Sequence, residues 1–282
     1  MKKVLLASTI LAFSAGVAAA EMSLTGGANM GVKYNDGVPA GDDELTIHYE
    51  VDFAIVGAGE TDNGLSFGAS LGVDEPEAGG VNDAEVFISG NFGTLTIGDV
   101  DPATDGFGIA DIGFDGIGLD DVAEQYKNAA SSADVNYSYS FGDFGVILSA
   151  DSVTEDFGAA VTYSGGTWNV GLGYAELEAT GEGTVSIEGG VSFGDFSGNA
   201  IYSDWDGGGE GYGIDVSYSG FGAIIVTAAF AGQDGVCIDA GACDEGYGIG
   251  ASYDLGGGAA LAGGIGEVDG DTRADFGITM AF

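Results

Sequence analysis

Eight carboxylates crowd one stretch of the chain, Asp99–Ala133, and seven of them lie beyond its first residue: Asp101, Asp105, Asp111, Asp115, Asp120, Asp121 and Glu124. Asp and Glu side chains gathered around a narrow, low-dielectric passage attract cations and turn anions away. The set is therefore read as a pore constriction, against the plain alternative of solvated acidity in a very acidic protein. Asp120-Asp121-x-x-Glu124 also offers oxygens to Ca²⁺, although the spacing of an EF-hand is absent. His48, the single histidine, alternates with Glu50 and Asp52, and a proton-responsive role is weighed against simple polar lining. Its flanking residues Ile47 and Tyr49 take the opposite, apolar face. A lipid-cleaving enzyme would need a Ser–His pair on that apolar face, so no enzyme is expected. Cys237 and Cys243 (CIDAGAC) form an even pair and read as a disulfide if the chain is exported. Metal binding by the pair is disfavoured, because no histidine lies nearby.

These residues need elements to hold them. Period-two alternation, the signal of strands with two unlike faces, runs through most of the chain. Leu45, Ile47, Tyr49, Val51, Phe53 and Ile55 oppose Thr46, His48, Glu50 and Asp52; Trp168, Val170, Leu172 and Tyr174 oppose Asn169, Gly171 and Gly173. Aromatics end many of the apolar faces, as in the girdles of a membrane barrel. The opposite faces are small and hydrophilic and suit a watery lumen. Tight turns, such as Asp62-Asn63-Gly64, Gly142–Phe144, Gly194-Asp195 and Ser219-Gly220, interleave with longer acidic links. Seven turns and eight links give about 16 strands, a number that leaves an aqueous channel. The longest apolar run, Phe221–Gly232, reads as one strand, and no segment after residue 20 is long and apolar enough for a spanning helix. The expected fold is all-β, a transmembrane antiparallel β-barrel. Asp99–Ala133 then falls as the third external loop. It is too long to be idle in a compact chain, and Phe107, Ile109, Ile112, Phe114, Ile117 and Leu119 give it apolar anchors. It is expected to pack inside the barrel and narrow it.

Residues 1–20 carry Lys2 and Lys3, an apolar stretch and Ala18-Ala19-Ala20 before Glu21, the pattern of a cleaved secretory signal; residues 21–282 are the barrel. Two of the five Lys/Arg lie in that leader, which leaves three cations against 45 Asp/Glu, a formal charge of −42. Nucleic acid is excluded as a partner, since its affinity depends on Lys/Arg neutralising phosphates. A hydrophobic content of 45% with a mean hydropathy of +0.21 is not that of an acidic disordered protein. The apolar side chains must instead face lipid or a core. The acidity also fits a high-salt habitat, where screening shortens the Debye length to about 3 Å at 1 M.

The segments TDNGLSFGAS (residues 61–70), VFISGNFGTLTIGD (86–99), GASYDLGGGAALAGGI (250–265) and a last strand ending on Phe282 resemble those of the alphaproteobacterial, Rhodobacter-type general porins. The resemblance spans the chain after residue 20. It implies an outer-membrane homotrimer of 16-stranded barrels in a Gram-negative bacterium, with the third external loop folded into the lumen. It implies passive passage of small hydrophilic solutes, no required cofactor and, in some members, Ca²⁺ among loop carboxylates. One departure stands out. The family sets a basic cluster on the wall against the acidic loop, whereas this chain after residue 20 has only Lys33, Lys127 and Arg273. Lys33 and Arg273 point into the lumen by parity, near the external ends of the first and last strands, too far out for a mid-barrel cluster. The constriction is thus expected to be mostly of one sign, relieved by Lys127 or bound cations, and the pore to prefer cations. The alternatives are a substrate-selective barrel and a closed structural or adhesive one. The lumen face, mostly Gly, Ser, Thr, Ala and Asp, lacks an aromatic sugar track and favours a general pore.

Overall fold

A computed structural model describes residues 21–75, 82–127, 132–236 and 244–282. The expected leader, residues 1–20, and the expected Cys237–Cys243 disulfide lie outside the described residues. The strands are β1 (Glu21–Asn35), β2 (Leu45–Glu60), β3 (Ser66–Glu75), β4 (Asn82–Gly90), β5 (Gly93–Gly98), β6 (Val135–Phe141), β7 (Phe144–Ala150) and β8 (Phe157–Ser164). They continue as β9 (Trp168–Leu177), β10 (Glu182–Phe193), β11 (Phe196–Trp205), β12 (Gly209–Phe221), β13 (Ile224–Gly235), β14 (Glu245–Gly256), β15 (Ala259–Val268) and β16 (Asp271–Ala281). Each pairs antiparallel with its sequence neighbours, and β1 pairs with β16, so the sheet closes into a 16-stranded barrel. Closure removes the unpaired edges that an open sheet would present.

Alternation decides which way each side chain points. On β2, Ile47 is 86% exposed, while His48 behind it is partly covered. The same contrast recurs at Val191, Ile249 and Phe276, each a large apolar side chain on the outer face. At one end, Tyr139, Phe141, Phe144, Tyr163 and Trp168 form a continuous chain of ring contacts from β6 to β9. This is the aromatic collar expected where a barrel meets a lipid headgroup layer. Two-residue turns close several hairpins. Gly142 and Gly194 open theirs at φ 59°, the left-handed conformation a type II′ turn needs at its first central residue.

Two local expectations are corrected. Residues 221–232 are not one strand: β12 ends at Phe221, Gly222 turns the chain at φ 78°, and β13 begins at Ile224. Ser219 and Gly220 accordingly belong to β12, and the turn falls between the paired Phe221 and Ile224, where Gly222 adopts the positive φ at no steric cost. The stretch 99–133 is also not devoid of regular structure, since it contains the short helix α1 (Leu119–Glu124).

The buried apolar side chains are concentrated in that stretch. Phe107, Ile112, Phe114, Ile117, Leu119, Val122, Ala123 and Tyr126 are all buried. They meet wall residues on the face opposite the lipid-facing one, where glycine recurs. A Cβ at Gly171 would stand 2.7 Å from Phe107, one at Gly264 2.7 Å from Ile112, one at Gly248 2.7 Å from Ile117 and one at Gly246 2.7 Å from Leu119. Those distances are too short for real carbon neighbours, so only glycine lets the two surfaces meet this closely. The small inner face, read from the sequence as lining for water, is in large part a seat for apolar side chains.

Candidate functional site

Hydrogen bonds tie residues 101–127 to strands on several sides of the barrel. Ser149 on β7 accepts from the Ala103 amide at 2.9 Å, and Asn136 on β6 donates to the Asp101 carbonyl at 3.0 Å. Asp215 on β12 accepts from the Ala110 amide at 2.8 Å. Gln233 on β13 donates to the Val122 carbonyl at 3.2 Å, and the Tyr126 hydroxyl to the Val236 carbonyl at 2.8 Å. On β16, Asp275 Oδ2 accepts from the amides of Phe114 and Asp115 at 3.0 and 3.1 Å, while its Oδ1 accepts from Gly264 at 2.8 Å. Backbone groups outside regular structure require such partners when covered. Here inward-facing side chains supply them.

All three cations after residue 20 reach this segment. Lys33 Nζ lies 2.5 Å from Asp115 Oδ2. Lys127 Nζ lies 2.6 Å from Glu124 Oε2 and donates to the carbonyls of Asp105 and Phe107 at 2.5 and 2.9 Å. Arg273 Nη1 donates to the Ile117 carbonyl at 3.4 Å. Lys127, expected to relieve the acidity of the segment, is thus joined by the wall residue Lys33, because the β1–β16 pairing sets Lys33 beside the tip of the segment. Burial, opposed by Lys127 and reinforced by Asp120, raises the Glu124 carboxyl above its usual range.

The expected site residues separate into distinct settings. Asp115 and Glu124 are ion-paired and largely covered, whereas Asp111 and Asp121 are exposed. Asp101 and Asp105 are half-buried and contribute backbone carbonyls to the ties above. Asp120 is half-buried beside Glu124. Asp52 follows Glu50 on the inner face of β2, opposite Gly27 of β1 and Asp74 of β3.

Asp120, Asp121 and Glu124 are not a group that brings one ligand atom each within 4.8 Å of one another among the described residues. Both Glu124 oxygens are engaged, one by Lys127 and one by the Ile109 amide at 3.1 Å. His48 lies instead against the segment, with Nε2 3.3 Å from Asp115 Oδ2 and 3.9 Å from Glu50 Oε2. Asp275, Asp215 and Asn29 were not singled out from the sequence. Their inward parity was legible there, but their partners in the segment are 86 to 161 residues away in the chain.

A family model described as Gram-negative porin matches residues 7–273. A porin of Rhodobacter capsulatus is 31% identical over 315 residues, covering 93% of this chain and 100% of the relative. A porin of Fuscovulum blasticum is 28% identical over 295 residues, with coverage of 93% and 100%. Among solved structures, a mutant of the Rh. blastica porin matches with a TM-score of 0.77 at 26% identity, over 93% of this chain and 100% of that one.

Proposed function

The chain belongs to the Gram-negative porin family, and from that premise we propose a passive outer-membrane diffusion channel for small hydrophilic solutes that prefers cations and is narrowed by residues 99–127. It catalyses no reaction; its work is to offer a water-filled path of chosen width and charge.

The distribution of charge is the observation that supports cation preference. Three cations face 45 acidic residues, and all three are engaged by the segment, while Asp111 and Asp121 stay exposed on it. Exposed carboxylates in a confined aqueous passage concentrate cations. A reversal potential measured across a KCl gradient tests this. The wild type should show cation preference, and Asp111→Asn with Asp121→Asn should reduce it. An anion-directed potential in the wild type would end the selectivity reading.

The narrowing is supported by the apolar seats and the hydrogen bonds to inward-facing side chains. Conductance with a graded series of uncharged solutes tests it through the size cut-off. The further expectations are a homotrimer and a cleaved leader. The outward face of β1 and β2, with Met22, Leu24, Ile47 and Tyr49 exposed, suits either acyl chains or a neighbouring barrel. Cross-linking in mild detergent distinguishes a trimer from single barrels, and N-terminal sequencing of the purified protein reads the cleavage point.

A further inference from the structure

Asp115 meets the wall beside the only imidazole in the chain. His48 and Glu50 are two residues apart on β2, so strand alternation sends both side chains to the same face. The β1–β2 register sets Asn29 opposite Glu50 and Gly31 opposite His48. Gly31 leaves room for the Phe114 ring, which packs edge-on to the His48 imidazole at 5.7 Å. The aromatic contact and the strand pairing together fix where the imidazole points.

Among the described residues, His48, Glu50 and Asp115 bring one ligand atom each within 4.8 Å of one another. Ligand atoms bound at ~2.0–2.1 Å to a tetrahedral ion lie about 3.3 Å apart. The His48 Nε2 to Asp115 Oδ2 distance is 3.3 Å, and the 3.9 Å to Glu50 Oε2 closes with a small rotation of Glu50. Nε2 is itself buried and makes no hydrogen bond among the described residues. One amide steadies both carboxylates, as Asn29 Nδ2 donates to Glu50 Oε2 at 2.8 Å and to Asp115 Oδ1 at 3.4 Å. Such outer groups hold metal ligands in position. An imidazole with two carboxylates suits a borderline ion such as Zn²⁺, whereas Ca²⁺ wants six to eight oxygens.

We propose that His48, Glu50 and Asp115 form a Zn²⁺ site, completed by water, which pins the segment to the wall and obstructs ion flow. The obstruction rests on the reading that residues 99–127 narrow the channel; the binding does not. Lys33 holds Asp115 Oδ2 at 2.5 Å. Its side chain is 36% exposed, free enough to swing aside when Zn²⁺ takes that oxygen. One cation then replaces another, and the local charge rises.

Zn²⁺ titration of the purified full-length barrel in excess Ca²⁺, which occupies carboxylate-only sites, reads the binding directly. One Zn²⁺ per chain is expected. Asn29→Ala should weaken it by the ~10–100-fold typical of an outer-shell change, and His48→Gln by more. Lys33→Gln should tighten it, an opposite sign that general damage to the fold would not produce. Equal Zn²⁺ affinity in wild type and in a His48→Gln variant that retains its β-sheet circular dichroism overturns the site. Zn²⁺ should also lower single-channel conductance in wild type but not in His48→Gln, and binding without block overturns the pinning. An anion-selective channel that still binds Zn²⁺ through His48 would separate failure of the selectivity reading from failure of this one.

Discussion

The ring of Phe107 stands where a side chain at Gly171 would have to go, with its Cζ 2.7 Å from the position of a Cβ at that residue. The wall strand β9 and the segment after β5 are thus shaped to each other at the level of a single methyl group. The same close approach recurs at Gly246, Gly248 and Gly264.

Gly171→Ala should therefore loosen the segment without breaking the barrel, whose ladders do not depend on it. Overpacking of this kind costs about 1–3 kcal/mol. Phe107→Ala should cost about 3–5 kcal/mol through the cavity left behind. The double variant should cost less than the sum of the two, because the added methyl then has room on the Phe107 side and only the flexible Glu188 chain, 2.8 Å away, must shift. Thermal unfolding of the four proteins gives the coupling, and strictly additive losses would refute the contact.

Asp275→Asn should release the tip of the segment. The carboxylate accepts from three amides, at Phe114, Asp115 and Gly264, while an amide side chain has one acceptor oxygen and turns its NH₂ towards at least one of those donors. Leaving a covered N–H unsatisfied costs about 1–3 kcal/mol. Faster hydrogen exchange at the Phe114 and Asp115 amides, with β15–β16 exchange little changed, is the expected signature. Unaltered exchange at the tip would contradict it.

Lys127→Met keeps the length of the side chain and removes every donor. Glu124 would lose its counter-charge, and the carbonyls of Asp105 and Phe107 their ammonium. The loss should be about 2–4 kcal/mol, somewhat below the ~3–5 of a fully buried pair broken on one side, since a raised Glu124 carboxyl can take up a proton instead. Adding Glu124→Gln should recover much of it. A Lys127→Met protein as stable as wild type would show the pair to be idle.

The pH dependence follows from the direction of the Glu124 shift. Burial lifts its native value above the unfolded ~4.3, so the folded state binds this proton more tightly. The stability that results is complete below the unfolded value and is lost as pH rises through the raised native value. Between pH 4 and neutrality, the unfolding temperature of wild type should therefore fall relative to that of Glu124→Gln. A constant gap between the two curves would remove Glu124 as the source.

The barrel was legible in the sequence because each strand residue declares its side: Ile47 and Tyr49 read as outward, His48 and Glu50 as inward, and the register agrees. Glycine makes no such declaration. Gly171, Gly246 and Gly248 fit a water-lined wall as well as a tight apolar seat, and only the packed surfaces distinguish the two. Helix α1 escaped notice at six residues, although Leu119, Val122, Ala123 and Tyr126 follow the i, i+3, i+4, i+7 spacing of one helical face. The carboxylates of the segment were found by composition. Their settings were not, because Lys33 lies 82 residues from Asp115 and becomes its neighbour only through the closed register.

That register has a consequence for the order of assembly. The tip of the segment rests on the join between the first and last strands: Phe114 fits against Gly31 of β1 and Gly277 of β16, and Asp115 is held by Lys33 from one side and Asp275 from the other. Without β16 the tip has half a berth, so a chain stopped before Asp271 leaves residues 113–115 with Gly31 and Lys33 but without Asp275 and Gly277. The segment precedes β16 in the chain yet needs it to complete its seat. It works as a keystone, bridging the two strands whose pairing turns a sheet into a pore.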